Sequence, residues 1–454
     1  MTDPVTLGFL GLGALLILII LRMPIAYAMI LVGGIGTALA VPNGVNMMLA
    51  QLKTLAYGQF AVYDLAVIPM FILMGALATK AGFSQALFRA TNAWLGWLRG
   101  GTAMAAIAAC AGFGAVAGSS LATASTMGKV ALPELRRYNY AGSLATGTLA
   151  AGGVLGILIP PSVVLIIYAI IVEANIVTMF MAALIPGLIA VIMFMLTIAI
   201  YVAIFPESGP AAGSVDRAEF RAASLGVIPV LLIFAVVIGG IYAGLYNPTP
   251  AAAVGVFLVW LVGVFQRQFA KGSIREALME TASTSGMIFL ILLGAELMSI
   301  YMARVRLPQF TAEWILGSGL EPFTVLILIL ITLILLGMLL DSLSMILLVI
   351  PFLWPVMVAL NGGPAQPAEG SGFGMSTDEL KIWFGILALV VVELGLITPP
   401  VGMNVFVISA MAKDTPMIQT FKGVVPFFCM EIVRVGLLLA FPALVLWLPE
   451  VLRG

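Results

Sequence analysis

The chain contains no histidine, and only two of its 454 residues are cysteine. Without histidine no His-containing zinc motif can form, and a proton relay lacks the side chain that titrates most readily near neutrality. Cys110 and Cys429 lie far apart in apolar runs, which speaks against both a disulfide framework and a thiolate metal motif. Charge is equally scarce. Lys and Arg number 20, Asp and Glu number 20, and together they make up 9% of the chain, whereas soluble domains carry about 25%. So little charge cannot cover a water-facing surface, and a net charge of zero gives no hint of a nucleic-acid partner. The serines have no visible base beside them, so no catalytic constellation emerges and the chain does not read as an enzyme.

Apolar residues, in contrast, make up 62% of the chain, in runs near 20 residues that recur along its length. Such runs are long enough to cross a hydrocarbon core of ~30 Å. The fold class is an all-α polytopic membrane protein embedded in a lipid bilayer. The first run has an "AYA" at Ala26 to Ala28, like a secretory signal. However, the preceding "MTDP" is acidic without Lys or Arg, and Arg22 follows the run, so it reads as a retained first span.

Two apolar runs are interrupted by consecutive prolines: "GILIPPSVVLI", Gly156 to Ile166, and "GLITPPVGMNV", Gly395 to Val405. A proline in a helix interior costs roughly 3 kcal/mol or more. Unwound backbone at membrane depth is tolerated only where it is buried in protein or lines a cavity. With the N-terminus outside, spans are expected at 5–21, 24–40, 61–79, 141–171, 177–204, 225–245, 250–266, 284–303, 382–412 and 424–448. Regions 102–138 and 322–360 then read as re-entrant hairpins. The inner loops hold Arg22, Lys80, Arg89, Arg99, Lys129, Arg136, Arg137, Arg217, Arg221, Arg267, Lys271, Arg275, Lys413 and Lys422. The outer side keeps Lys53, Arg304, Arg306, Lys381 and Arg453, with Arg434 inside the last span. That is 14 against 5, the bias of the positive-inside rule. Reading both hairpins as single crossings moves five of the inner charges outside.

The hairpins enter from opposite sides, and each precedes a Pro-Pro break. This is the inverted-repeat pattern of secondary transporters. The chain divides into N-terminal scaffold helices (1–60), a first repeat (61–205) with hairpin 102–138 and broken helix 141–171, linking scaffold helices (206–283), and a second repeat (284–454) with hairpin 322–360 and broken helix 382–412.

The first hairpin centres on "GFGAVAGSSLATASTMG", Gly112 to Gly128. Small residues there permit close helix packing. The cluster of hydroxyl and carbonyl oxygens also suits a hard cation such as Na+. The second hairpin turns at "GMLLDSLSMI", Gly337 to Ile346. A carboxylate at mid-bilayer costs ~2.5–3.5 kcal/mol on insertion scales, which makes Asp341 a functional candidate. Capping the new helix is an equally physical role for it, and the two roles are compatible. Glu431 and Arg434, spaced i, i+3, neutralise each other. Glu296 and Glu393 rank below Asp341, with partners that the sequence does not name.

"GFGAVAGSSLATASTMGKVALPEL", "GGVLGILIPPSVVLIIYAIIVEANI", "GMLLDSLSMILLVIPFLWPV" and "GLITPPVGMNVFVIS" together resemble the large membrane subunit of tripartite ATP-independent periplasmic (TRAP) transporters, over nearly the whole chain. The second hairpin tip reads "LDSLS" where an "LDPTA"-like form is associated with the family. The resemblance implies an elevator-type carrier in the bacterial inner membrane, a separate small four-helix membrane subunit, and a periplasmic binding protein that delivers a small organic anion. It implies one sodium site at Gly118, Ser119, Ser120 and Thr123 with Gly156, Ile159 and Pro160. A second would join Gly337 and Asp341 to Gly395, Thr398 and Gly402. Substrate is expected between the tips, at Ser120, Asp341, Ser342 and Asn404. No cofactor is expected beyond Na+ as coupling ion. A stand-alone cation-coupled antiporter or carrier of the same superfamily, working without a binding protein, is the alternative. The class of organic acid, whether dicarboxylate, sialic acid, sugar acid or keto acid, stays open.

Overall fold

Several helices begin where a side chain satisfies one of the first free N–H groups. Asp3, Ser119, Ser162, Asn175, Asp341 and Ser376 each accept a backbone N–H at a helix N-terminus, and Ser376 forms a capping box with Glu379. The computed structural model describes residues 3–211, 213 and 216–453. Met1, Thr2, Ala212, Ser214, Val215 and Gly454 lie outside the described residues, so the extreme ends and part of the linking block are not placed.

Twenty α-helices follow one another, with no strand among the described residues. They are α1 (Pro4–Ile20), α2 (Ile25–Ala40), α3 (Gly44–Phe60), α4 (Val67–Lys80), α5 (Phe83–Leu95), α6 (Gly101–Ala117), α7 (Ser120–Arg137), α8 (Gly142–Leu158), α9 (Val163–Ile171) and α10 (Ile176–Ile204). The second half comprises α11 (Arg217–Tyr242), α12 (Pro248–Phe265), α13 (Ser273–Arg304), α14 (Leu307–Gly317), α15 (Pro322–Gly337), α16 (Ser342–Asn361), α17 (Thr377–Gly395), α18 (Met403–Met411), α19 (Met417–Ala440) and α20 (Ala443–Arg453). Among the described residues, seven segments are long and apolar enough to cross a membrane, and α8 with α9 makes an eighth, bent by 46° at its break.

The expected hairpins are α6–α7 and α15–α16, and the expected broken spans are α8–α9 and α17–α18. Each hairpin packs on the broken span that follows it and also on the other one. Helices α6 and α7 lie on α8, and α18 packs on α7 and α8. Helix α15 lies on α17, and α16 packs on α9. Tyr168 ties the two broken spans together, its hydroxyl donating to the Lys381 carbonyl at 2.8 Å. A second group of helices forms around α13, which packs on α2 and α4, while α4 also packs on α12.

Three helices occupy stretches expected to be connections: α3, α5 and α14. Helix α5 buries Phe83, Leu87, Phe88, Ala90 and Thr91 along one side and leaves Arg89 exposed, so it is too amphipathic to register as a span. The last expected span, 424–448, is two helices. Pro442, which has no N–H to donate, separates α19 from α20.

Among the described residues, Arg434 is the one basic side chain that is buried, and its burial is complete. Its Nε and Nη2 donate to Glu431 Oε2 at 2.9 and 2.5 Å, and Nη1 donates to the Pro186 carbonyl at 3.1 Å, joining α19 to α10. Removing one partner strands the other charge. Arg434→Leu is therefore expected to destabilise the solubilised protein by ~3–5 kcal/mol, with much of the loss recovered in Glu431→Gln/Arg434→Met. Denaturant unfolding of the three proteins checks this, and equal instability of the single and double variants contradicts it.

Candidate functional site

Both hairpins turn into the N-terminus of their second helix, and both turns are built alike. Ser119 caps α7, its hydroxyl accepting from the Ala122 N–H at 3.4 Å, and Ser120 is the first residue of the helix. Asp341 caps α16, accepting from the Ser344 N–H at 3.1 Å, and Ser342 is the first residue. Asp341 thus has the capping role while also standing on a cavity wall. Gly118, at φ +61°, supplies the left-handed turn that a β-carbon would strain.

Glu393 on α17 lies behind the two tips and is 0% exposed. The Ser120 hydroxyl donates to Oε2, and the Ser342 hydroxyl donates to Oε1 at 2.5 Å. One carboxylate therefore joins both hairpins. Arg434 is committed to Glu431, and no ion pair to Glu393 forms among the described residues. The sequence points first to Asp341 and leaves Glu393 without a partner. A usable signal existed in its placement five residues before Thr398, in the first half of a broken span. The other low-ranked acid, Glu296, is half-buried on α13.

Within the first expected ion site, Ser119 and Thr123 meet Gly156, and Gly118 meets the start of the break at Pro161. A β-carbon on Gly156 would strike the Thr123 hydroxyl and lie 2.7 Å from the Ser119 carbonyl oxygen, while one on Gly118 would lie 3.1 Å from the Pro161 carbonyl oxygen. Thr123 Oγ1 is buried and has no hydrogen-bond partner among the described residues. Ile159 leaves α8 in an extended conformation, and Pro160 begins the break with a cis bond to Pro161.

The second set assembles in two pieces. Gly337 and Gly395 bring α15 and α17 into backbone contact, so close that a β-carbon on Gly395 would lie 2.5 Å from the Gly337 carbonyl carbon. Thr398 donates to the Leu394 carbonyl at 2.6 Å, and its own carbonyl oxygen lies beside Gly402. Asp341 faces the cavity together with Leu396. Asn404 Nδ2 and the Ser120 carbonyl oxygen both crowd Gly153 on α8. Asn404 donates through Nδ2 to the Ala150 carbonyl at 3.3 Å between α18 and α8, its Oδ1 has no partner among the described residues, and it does not line the cavity.

The cavity itself, about 230 Å3, lies between the two tips, the start of α9, and the scaffold helices α4 and α13. Three helix N-termini border it, at Ser119–Ala122, Val163–Val164 and Asp341–Leu343. Thr79, Glu280 and Thr284 close the scaffold side. The lining has two acids, Asp341 and Glu280, and no Lys or Arg among the described residues. Wider grooves of about 590 and 740 Å3 lie at the charged helix ends. There Lys80 pairs with Glu276 at 2.5 Å and Arg89 with Glu219 at 2.7 Å.

Residues 12–444 match the family described as "Tripartite ATP-independent periplasmic transporter, DctM component". The chain belongs to this family. It is a multi-pass inner-membrane protein whose relatives are permeases rather than enzymes. The chain is 32% identical to a C4-dicarboxylate TRAP transporter large permease protein of Pseudomonas aeruginosa, over 86% of each chain. It is 30% identical to a sialic acid TRAP transporter large permease protein of Vibrio cholerae, over 98% of each. An ectoine TRAP transporter large permease protein of Halomonas elongata is 30% identical over 88% of this chain and 90% of that one. Among solved structures, the YdaH transporter of Alcanivorax borkumensis has a similar fold, with a TM-score of 0.67 over 97% of this chain and 98% of that one at 12% identity.

In this permease the close approach at Gly156 gives a direct test. Gly156→Val is expected to push Thr123 and Ser119 out of place and abolish transport, at a stability cost of ~1–3 kcal/mol. Gly436→Ala, where nothing lies within 4 Å of the added carbon, leaves both unchanged. Uptake and thermal unfolding of the two variants check this, and a Gly156→Val protein that still transports contradicts the placement.

Proposed function

We propose that this permease carries out Na+-coupled uptake of a small organic acid anion by an elevator movement. The hairpin and broken-span helices slide as one body against the scaffold that includes α4 and α13. The observation that carries the reading is the cavity between the tips, which combines helix N-termini and hydroxyls with an absence of basic side chains. An anion is held there by the positive ends of α7, α9 and α16 rather than by Lys or Arg. Two acids in the lining, Asp341 at a hairpin tip and Glu280 on the scaffold side, call for cations to enter with it. The unpartnered Thr123 hydroxyl beside the Ser119 carbonyl supports one such cation position, and Asp341 with the Gly337–Gly395 contact supports a second.

The charge bias of the loops supports opposite directions for the two repeats across the bilayer. By that bias the end of α4 and α13 bearing the Lys80–Glu276 pair faces the cytoplasm, and the exposed Glu280 marks the mouth of the cavity on that side. A small membrane subunit and a periplasmic binding protein complete the transporter, the latter choosing the substrate.

Proteoliposomes containing the permease, its small subunit and the binding protein provide the test. Uptake of labelled C4-dicarboxylate is expected only with both an inward Na+ gradient and the binding protein. Uptake that follows a proton gradient, or proceeds without the binding protein, contradicts the reading.

A further inference from the structure

Glu393 is the group in the hairpin region that the account of transport has not yet used. It does not line the cavity, but each of its carboxylate oxygens takes the hydroxyl of a serine that does. An ionised carboxylate only accepts hydrogen bonds, whereas a serine hydroxyl offers one proton and two lone pairs. With both protons turned toward Glu393, Ser120 and Ser342 have only lone pairs left for the cavity.

We propose that Glu393 is a positioning residue that holds the hydroxyl protons of Ser120 and Ser342, so that both hairpin tips present acceptors and receive a cation or a hydrogen-bond-donating group. This rests on the transport reading above and refines it. The serine hydroxyls serve the cation, and a substrate carboxylate is left to the backbone N–H groups at the starts of α7, α9 and α16. The cavity lining fits this division. Asp341 adds a further acceptor beside Ser342, and no basic side chain is present to receive the carboxylate.

Glu393→Gln keeps the size but replaces one acceptor with an amide N–H donor, so one serine must turn its proton into the cavity. Purified permease is unfolded thermally at rising Na+ against choline, and reconstituted transporter is assayed for substrate KM at saturating Na+. In Glu393→Gln the Na+ half-saturation is expected to rise about tenfold, the loss of one charge-assisted hydrogen bond, with substrate KM within about twofold. In a Ser120→Ala/Ser342→Ala background the same change is expected to add less than about twofold, because the groups it acts through are gone. A purely structural role would give the same increment in both backgrounds.

An unchanged Na+ half-saturation in Glu393→Gln, or an effect that persists in the alanine background, overturns the proposal. If Glu393→Gln does not fold, Glu393→Asp, which keeps the charge but is one methylene shorter, enters the same cycle with the same two outcomes. Failure of the sodium reading is separately visible, because it appears in the wild type as unfolding and uptake that ignore Na+. The cycle is then decided in substrate KM, where non-additivity supports the positioning role and additivity overturns it.

Discussion

A carboxylate with no exposure and no cationic partner must be satisfied by hydrogen bonds, and Glu393 obtains them from two hairpins that are otherwise far apart in the chain. Moving either tip alone would leave a buried oxygen unpaired, at ~1–3 kcal/mol or more. The tips are therefore not free to sit independently. The remaining contacts act in the same direction: α16 packs on α9, α18 packs on α7 and α8, and Tyr168 links α9 to α17. These contacts join both hairpins to both broken spans.

The breaks and the small residues follow from that constraint. Two reversals of backbone between apolar helices leave N–H and C=O groups that lipid would not satisfy. Closing protein over them requires helices to touch backbone to backbone, as α15 and α17 do at Gly337 and Gly395. The same packing leaves oxygens such as Thr123 Oγ1 inside, without a protein donor. A site rich in such acceptors, bordered by helix N-termini, can attract cations and an anion together without a single basic side chain.

Much of this was legible in the sequence. The helix pairs α6–α7 and α15–α16 end within a residue or so of 102–138 and 322–360, because apolar runs and their interruptions act locally along the chain. The contact of Thr123 and Ser119 with Gly156 followed from motif resemblance. What sequence could not show was distance-dependent. Glu393 meets serines 273 and 51 residues away, and nothing local marks such a pairing. Asn404, which the resemblance implied for the substrate, donates its amide to the Ala150 carbonyl on α8, 254 residues away, another pairing that nothing local marks. Helix α5 was missed for the opposite reason: its period is regular, but its apolar stripe is too narrow for hydropathy to register.

The central claim is that the helices joined through Glu393 move as one unit past α13. Spin labels at Lys129 on α7 and Lys413 just after α18 report distances within that unit, and labels at Lys129 and Arg275 on α13 report across its boundary. All three positions are exposed, and Cys429 is replaced by serine so that it takes no label. Pulsed electron–electron distances are then compared in Na+-free buffer and with Na+, substrate and binding protein present. The account predicts a constant Lys129–Lys413 distance and a Lys129–Arg275 distribution that shifts by several ångströms or splits in two. A change within the hairpin unit, or a fixed distance across its boundary, contradicts it.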